Sequence, residues 1–440
     1  MNYAVPRVRW EWSDRLTVAL LVGYMILERA FAHLGVRPVF IGDIGLVAFL
    51  LLRTNAIFGQ PIRSLFEASR WSSLAWCMLL SIGYGTFEML RGLASGHLPA
   101  VTLQCLIFNV YPLFLWAGVY LGRRHPQFLS RVIVPLAVVN GLYGLLFVFV
   151  LSPLGLTDSL EEVEMGWFGQ PNWTAVFLLA LIIFQQRGWL SNLALVLNGF
   201  ILLALQSRAS WVGLAVAVPL WIFLSGRVWQ AVKFAAALAL LLAVGWITDV
   251  RLPPIPNRGG QELSVRALAA QAWAIFDPKG AEQASPNLET RAATVEWRET
   301  WWKNIWGMVH QSPQRALFGA GYGYPIWTLN PFIVDDFPLR TPHNVTMFAL
   351  GYTGWVGVAL FYALMGTLWL ALWRAYRRSG NLFGLCLWAF VVVRAQFDNL
   401  FETPHLAIPF FLLAGLCLAM PAPATAPAES PSRPALGGGA

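Results

Sequence analysis

Apolar stretches of membrane-spanning length recur along this chain with few breaks, and that recurrence restricts the fold more than any other feature. A helix crosses hydrocarbon with about 20 apolar residues, and within lipid every backbone polar group must be satisfied inside the segment. The runs predict twelve helical spans, at residues 16–34, 38–53, 71–90, 100–122, 129–151, 173–186, 189–206, 210–225, 228–247, 345–372, 382–397 and 404–420. The second, sixth and eighth are short, and Asp43 sits inside the second. Charged residues make up only 12% of the chain, against about 25% in a soluble domain. The 22 Trp residues suit a chain with much membrane–water interface. The expected fold class is an all-α polytopic membrane protein.

Charge orients the spans. Short loops on one side carry Arg7, Arg9, Arg53, Arg63, Arg70, Arg123, Arg124, Arg131, Arg187, Arg227, Lys233, Arg374, Arg377 and Arg378. Those on the other side carry only Arg37, Arg91 and Arg208, and one of them is acidic, with Asp158, Glu161, Glu162 and Glu164. The positive-inside rule then puts both termini in the cytoplasm and the long loop on the outer side. Four segments follow: spans one to nine at 1–247, a large outer loop at 248–342, spans ten to twelve at 343–420, and a disordered cytoplasmic tail at 421–440. The loop opens on Pro253, Pro254, Pro256, Gly259 and Gly260 and continues with a helix from Ser264 to Phe276. A polar link spans 277–290, and a second helix over about 291–311 carries Trp297, Trp301, Trp302 and Trp306. So many Trp residues favour a helix lying on the membrane surface.

Several function classes drop out. The formal charge of +8 comes from clusters between apolar runs and not from a stripe, so no nucleic-acid partner is expected. Cys77, Cys105, Cys386 and Cys417 lie in apolar runs without a CxxC pair, and read as inert thiols. The N-terminal run lacks an A-x-A-like cleavage site and reads as a retained helix. Gly319-Ala320-Gly321-Tyr322-Gly323 resembles a phosphate-cradling loop, but it follows a helix where that motif needs a strand.

The polar residues that remain fall on the outer side. Arg208, in Gln206-Ser207-Arg208-Ala209-Ser210, sits at the outer end of the seventh span. Ionisable groups at such depth are costly and usually functional, although position alone also fits an arginine snorkelling at a helix end. Arg298 lies on the Trp-rich loop helix, where a solvated or interfacial face is the alternative. Arg266 and Arg291 share that loop as weaker candidates. His343 follows Pro342 and precedes Asn344 at the mouth of the tenth span. An imidazole can take or guide a hydroxyl proton near neutral pH, although a lone His at a helix start is often structural. Asn172 closes Gly166-Trp167-Phe168-Gly169-Gln170-Pro171-Asn172 and reads as turn chemistry with a helix cap. Asp398 and Glu402, near the outer end of the eleventh span, are left open. Transfer from a polyprenyl diphosphate would join these residues. Guanidinium groups bind such an anionic leaving group through forked hydrogen bonds and offset the charge it develops. A metal could do the same, but the loops lack a DxD or His/carboxylate cluster, so no metal or cofactor is expected.

Four elements in order give the chain a resemblance to the bacterial O-antigen ligase superfamily, which also holds O-antigen polymerases and protein O-oligosaccharyltransferases. Phe168-Gly169-Gln170-Pro171-Asn172 is similar to its Gly-x-x-Asn element, and Ser207-Arg208 with Gly213 to its Ser-Arg-x-x-x-x-Gly element. Arg298-x-x-x-Trp302, Pro313 and Gly319-Ala320-Gly321 resemble its Arg-x-x-x-Trp…Pro…Gly-x-Gly stretch. His343-Asn344, nine residues, then Gly354-Trp355-Val356-Gly357 resembles the most specific ligase pattern. Two departures are visible: Tyr352 stands where members often have Glu, and Gln314-Arg315-Ala316-Leu317-Phe318 is inserted before Gly319.

The resemblance implies a GT-C-type multi-span glycosyltransferase with a large helical periplasmic loop. It implies an undecaprenyl-diphosphate-linked O-antigen donor and, for a ligase, the lipid A core as acceptor, with membrane lipid around both. By matched position His343 would serve the acceptor hydroxyl, Arg208 and Arg298 would hold the diphosphate, and Asn172, Ser207 and Asn344 would support them. Ligase is the first reading. Polymerase and protein glycosylase keep the donor and change the acceptor. A transporter of lipid-linked polysaccharide is the alternative of a different class.

Overall fold

The computed structural model describes residues 9–36, 39–55, 72–156, 168–249, 251, 264–273, 277, 289–330 and 341–421. The first helices are α1 (Trp12–Ile26) and α2 (Glu28–Ala32), then a two-residue hairpin, β1 (Gly35–Val36) antiparallel to β2 (Val39–Phe40), and α3 (Ile41–Leu52). Next come α4 (Ser72–Ala94), α5 (Pro99–Val110), α6 (Phe114–Arg124), α7 (Phe128–Leu146), α8 (Thr174–Phe184), α9 (Trp189–Leu205), α10 (Arg208–Ser225) and α11 (Val228–Thr248). The loop contributes α12 (Val265–Trp273), α13 (Glu289–Val309) and α14 (Pro313–Phe318). The last helices are α15 (Val345–Ser379), α16 (Phe383–Arg394) and α17 (Pro404–Ala419).

Each of the twelve apolar runs coincides with helix. Among the described residues, five stretches are long and apolar enough to cross a membrane: α4, α5 continued into α6, α7 with its following turn to Leu151, α10 and α15. The helices α3, α8, α9, α16 and α17 are apolar but shorter. Breaks within runs have local causes. The first run stops at Ile26, and Glu28 takes a left-handed backbone (φ 54°) before α2 resumes. A 3₁₀ turn containing Pro112 joins α5 to α6, because proline removes one helical donor. The helix α15 bends at Gly354, whose φ of 63° is closed to ordinary side chains in a helix.

The centre of the bundle is α17, buried on every side from His405 to Leu418. A helix apolar all round belongs in an interior. It lies against α6 with the two backbones nearly touching: a Cβ on Gly415 would fall 2.1 Å from the Leu115 carbonyl oxygen, and one on Gly118 would fall 2.2 Å from that of Leu412. Small residues allow this approach and the dispersion contacts that come with it. Elsewhere, Asn140 donates to Thr174 Oγ1 (3.1 Å) and Asn198 Oδ1 (2.8 Å), tying α7 to α8 and α9. Cys105, Cys386 and Cys417 are buried and Cys77 is half-buried, and none of the four is in a disulfide among the described residues.

The Trp-rich loop helix buries one face against the bundle. Trp301, Ile305, Met308 and Val309 recur at helical spacing and bury α13 against α15. Trp301 is fully buried, and its indole N–H donates to the Ile326 carbonyl at 2.7 Å. A buried indole needs such a partner, which is why this helix turns inward and leaves Trp306 as its exposed Trp. The acidic loop with Asp158 to Glu164, the Pro/Gly-rich segment 253–260, most of the polar link and nearly all of the tail from 421 lie outside the described residues.

Candidate active site

The site is assembled where α10, α13, α15 and the α16–α17 connection meet. His343 has a left-handed backbone (φ 50°), a conformation uncommon outside glycine and one in which His, Asn and Asp are over-represented. Its neighbours hold it there. Trp302 donates its indole N–H to the Pro342 carbonyl at 2.8 Å. Asn344 caps α15 by accepting from the Met347 N–H (2.9 Å) and donates to the Gln396 carbonyl (3.0 Å). The Val345 N–H donates to the Ala395 carbonyl at 2.9 Å. The imidazole edge meets the Trp297 ring at 5.9 Å. Burial, then the charge of Arg298, pulls His343 down to about 4 against the opposing pull of Asp398, with Arg29 adding to the depression. The ring is therefore neutral near pH 7, able to accept a proton.

Arg298 stacks its guanidinium over Trp297, 5.3 Å from the ring centre, and makes a long contact (3.4 Å) to the Phe397 carbonyl. Its Nε is buried without a hydrogen-bond partner among the described residues. Burial lowers its proton affinity first, Asp398 opposes, and the nearby charge of Arg208 lowers it further; a guanidinium stays charged regardless. Arg208 opens α10, after left-handed Gln206 (φ 50°) and the cap Ser207, whose Oγ accepts from the Ser210 N–H. The positive end of the α10 dipole thus adds to two guanidinium groups. Two guanidinium groups this close repel each other and suit an anionic guest.

Asn172 is not a helix cap, as the turn reading had it: Trp173 occupies that position and caps with no side chain. Asn172 instead joins two elements far away in sequence. Its N–H and Nδ2 donate to the fully buried carboxyl of Glu28, at 2.8 and 3.2 Å. Its carbonyl and Oδ1 accept from Arg394, at 2.8 and 3.0 Å. Arg394 also grips Asp398 Oδ2 with Nε and Nη2, at 3.0 and 2.7 Å. Burial alone would raise Asp398, but the adjacent Arg394, with help from His343 and the Asn399 N–H, holds it below the ordinary carboxylate range. Glu402 has both carboxyl oxygens buried without partners among the described residues, and burial pushes it up to about 8.

The structure therefore brings Arg208, Arg298 and His343 into one neighbourhood and adds Asn172 through Arg394 and Asp398. Ser207 and Asn344 serve as caps. Arg266 stands apart, exposed beside Asp249 (3.8 Å) and over the Trp246 ring. Arg291 lies on α13, and its side chain is outside the described ones. Among the described residues, no three His, Cys, Asp or Glu side chains are grouped as a metal ion would need. Sequence reasoning missed Glu28 and Arg394, although both interrupt apolar runs, a position where ionisable groups rarely occur without a task.

The glycine motifs join the turn after α14 to the bend of α15. Ala320 and Gly321 donate backbone N–H groups to the Gly351 and Tyr352 carbonyls, both at 2.9 Å, next to the α15 bend. A Cβ on Gly319 would sit 2.5 Å from the Tyr352 backbone, and one on Gly354 would sit 2.4 Å from that of Leu317. The inserted residues 314–318 form most of α14, capped by Ser312, which delivers Gly319 to the bend. Arg91 of α4 donates to the Phe318 and Gly319 carbonyls from the other side. Tyr352 is fully buried against Phe348 and Tyr322.

No curated protein matches the chain. Residues 193–362 match the family model described as O-antigen ligase, a stretch that contains Arg208, Arg298 and His343 but stops short of Arg394 and Asp398. Several helices are long and apolar enough to cross a membrane, as in an integral membrane protein, and the matched segment, 170 of 440 residues, is similar to the O-antigen ligase family, which covers both ligases and polymerases.

Proposed function

We propose that this protein is an O-antigen ligase that moves a polysaccharide from undecaprenyl diphosphate to the lipid A core. The observation that carries the reading is the meeting of two guanidinium groups with one neutral imidazole, drawn from three separate elements. In the reaction, an acceptor hydroxyl oxygen attacks the anomeric carbon and the bond from that carbon to the phosphate oxygen breaks. The electron pair leaves with the polyprenyl diphosphate, and the hydroxyl proton passes to His343. Arg208 and Arg298 balance the charge gathering on the diphosphate, so no metal is needed. A pre-oriented acceptor and donor would supply much of the remaining acceleration.

This reading includes twelve membrane crossings in a GT-C-type fold, both termini in the cytoplasm of the inner membrane, and a site facing the periplasm. The large loop at 248–342 and a free tail at 421–440 belong to the same proposal. Polymerase is the second reading, and one observation bears on it: Tyr352 stands where members of the superfamily often have Glu, which weakens the subfamily assignment. Glycolipid from cells lacking the protein separates the two. Loss of all long polysaccharide from lipid A, with lipid-linked chains accumulating, supports ligase. A single repeat left on the core supports polymerase and overturns the ligase assignment.

A further inference from the structure

Arg394 lies at the end of α16 and is only 2% exposed, outside the matched family segment. Its guanidinium is divided between two tasks. Nη1 donates to the Asn172 carbonyl, Nη2 is shared between Asn172 Oδ1 and Asp398 Oδ2, and Nε completes a forked grip on that same carboxylate oxygen. Asn172 in turn holds Glu28, beyond α1. One unbroken hydrogen-bonded line thus runs from the first helical pair, through the segment before α8, to the carboxylate that faces His343.

We propose that Arg394 is a positioning residue for His343: it fixes the orientation and the charge of Asp398, and anchors both to the bundle through Asn172 and Glu28. The inference rests on the reading in which His343 takes the acceptor proton. The charge around the imidazole makes the anchor consequential. His343 is faced by Arg298 from α13, Arg29 from α2 and Asp398 from the α16–α17 connection. Two of these oppose its protonation, and Asp398 alone favours it. Asp398 itself is faced by Arg394, His343 and Arg298, with Glu402 and His405 sensing its charge from the same connection and from α17. With Arg394 in place, the carboxylate stays ionised and largely neutralised by its partner. Without it, a buried carboxylate would bind protons more readily, and its charge would act on the imidazole unbalanced. Both effects move protonation of the His343–Asp398 pair to higher pH, and the two groups titrate as a unit.

The test uses the purified full-length protein, a polyprenyl-diphosphate-linked glycan and a core acceptor, with kcat and KM measured across pH. Arg394→Met should raise the acid limb of kcat by about one pH unit, a roughly tenfold loss at a fixed pH on that limb, with KM for the donor nearly unchanged. Arg394→Lys should return the limb to its original position, because the charge is restored. In an Asp398→Asn background, Arg394→Met should not move the limb, because the group it acts through is gone. A uniform fall in kcat at every pH, or the same shift with and without Asp398, would overturn the proposal. If Arg394→Met does not insert, the Arg394→Lys profile decides: an acid limb displaced despite the retained charge counts against it. His343→Ala separates the two levels. Activity in that variant would sink the underlying reading, whereas an inactive His343→Ala with an unmoved Arg394→Met limb would sink only this inference.

Discussion

The indole of Trp302 donates to the carbonyl of Pro342 at 2.8 Å, one residue before the left-handed His343. That bond couples the Trp-rich loop helix to the backbone that aims the imidazole. A hydrogen bond of this kind contributes about 1 kcal/mol net. Trp302→Phe keeps the ring and removes the donor, so kcat should fall about fivefold with donor KM almost constant. Steady-state transfer rates on the purified variant check this.

Arg208 and Arg298 should behave differently from Trp302. Each is assigned to the diphosphate, where removal of a preorganised donor costs about 100-fold in rate. Arg298→Met and Arg208→Met should each lose about that much. Arg298→Lys should recover part of it, since lysine keeps the charge but not the fork. Titration of a fluorescent polyprenyl diphosphate should show weakened binding in both Met variants.

Gly354 and Gly319 press two backbones together, and both need positive φ (63° and 66°). Gly354→Ala would add strain of ~1–3 kcal/mol and drive a Cβ into the Leu317 carbonyl. The variant should melt several degrees below the parent in detergent. Gly366→Ala, in the same helix with open space at its Cβ, should leave the melting temperature unchanged.

Much of this architecture is legible in the chain because apolar length and helical spacing are local signals. The apolar runs coincide with helices for that reason. His343 and Arg208 could be singled out because polar residues at the ends of apolar runs stand out, whereas Arg298 was marked by the spacing of its Arg-x-x-x-Trp motif. The roles of Asn172, Glu28 and Arg394 could not, because each is defined by partners more than 100 positions away. The inward turn of Trp301 was hidden for a similar reason: its carbonyl partner belongs to a separate turn, and a Trp-rich helix reads the same whether it meets lipid or protein. The contact of Gly319 with the Gly354 bend is likewise a meeting of two motifs that composition reads separately.

Glu402 gives a pH-dependent expectation with a definite sign. Its carboxyl is raised to about 8 in the folded protein, whereas an unfolded chain ionises it near pH 4.3. Between those values the folded state holds a proton that the unfolded state has released, so stability falls as pH rises through this window. Glu402→Gln removes that dependence. Its melting temperature should exceed the parent's at pH 8 by more than at pH 5, as thermal unfolding at the two pH values would reveal.

The central claim is that His343 takes the proton in a transfer driven by Arg208 and Arg298. The most direct measurement is single-turnover transfer from a polyprenyl-diphosphate-linked glycan to core acceptor by purified, folded His343→Ala, with donor binding measured in parallel. The account predicts donor bound with near-parental affinity and product lost by at least about 100-fold, at the lower end of what a general base contributes. Transfer at the parental rate in that variant would contradict it.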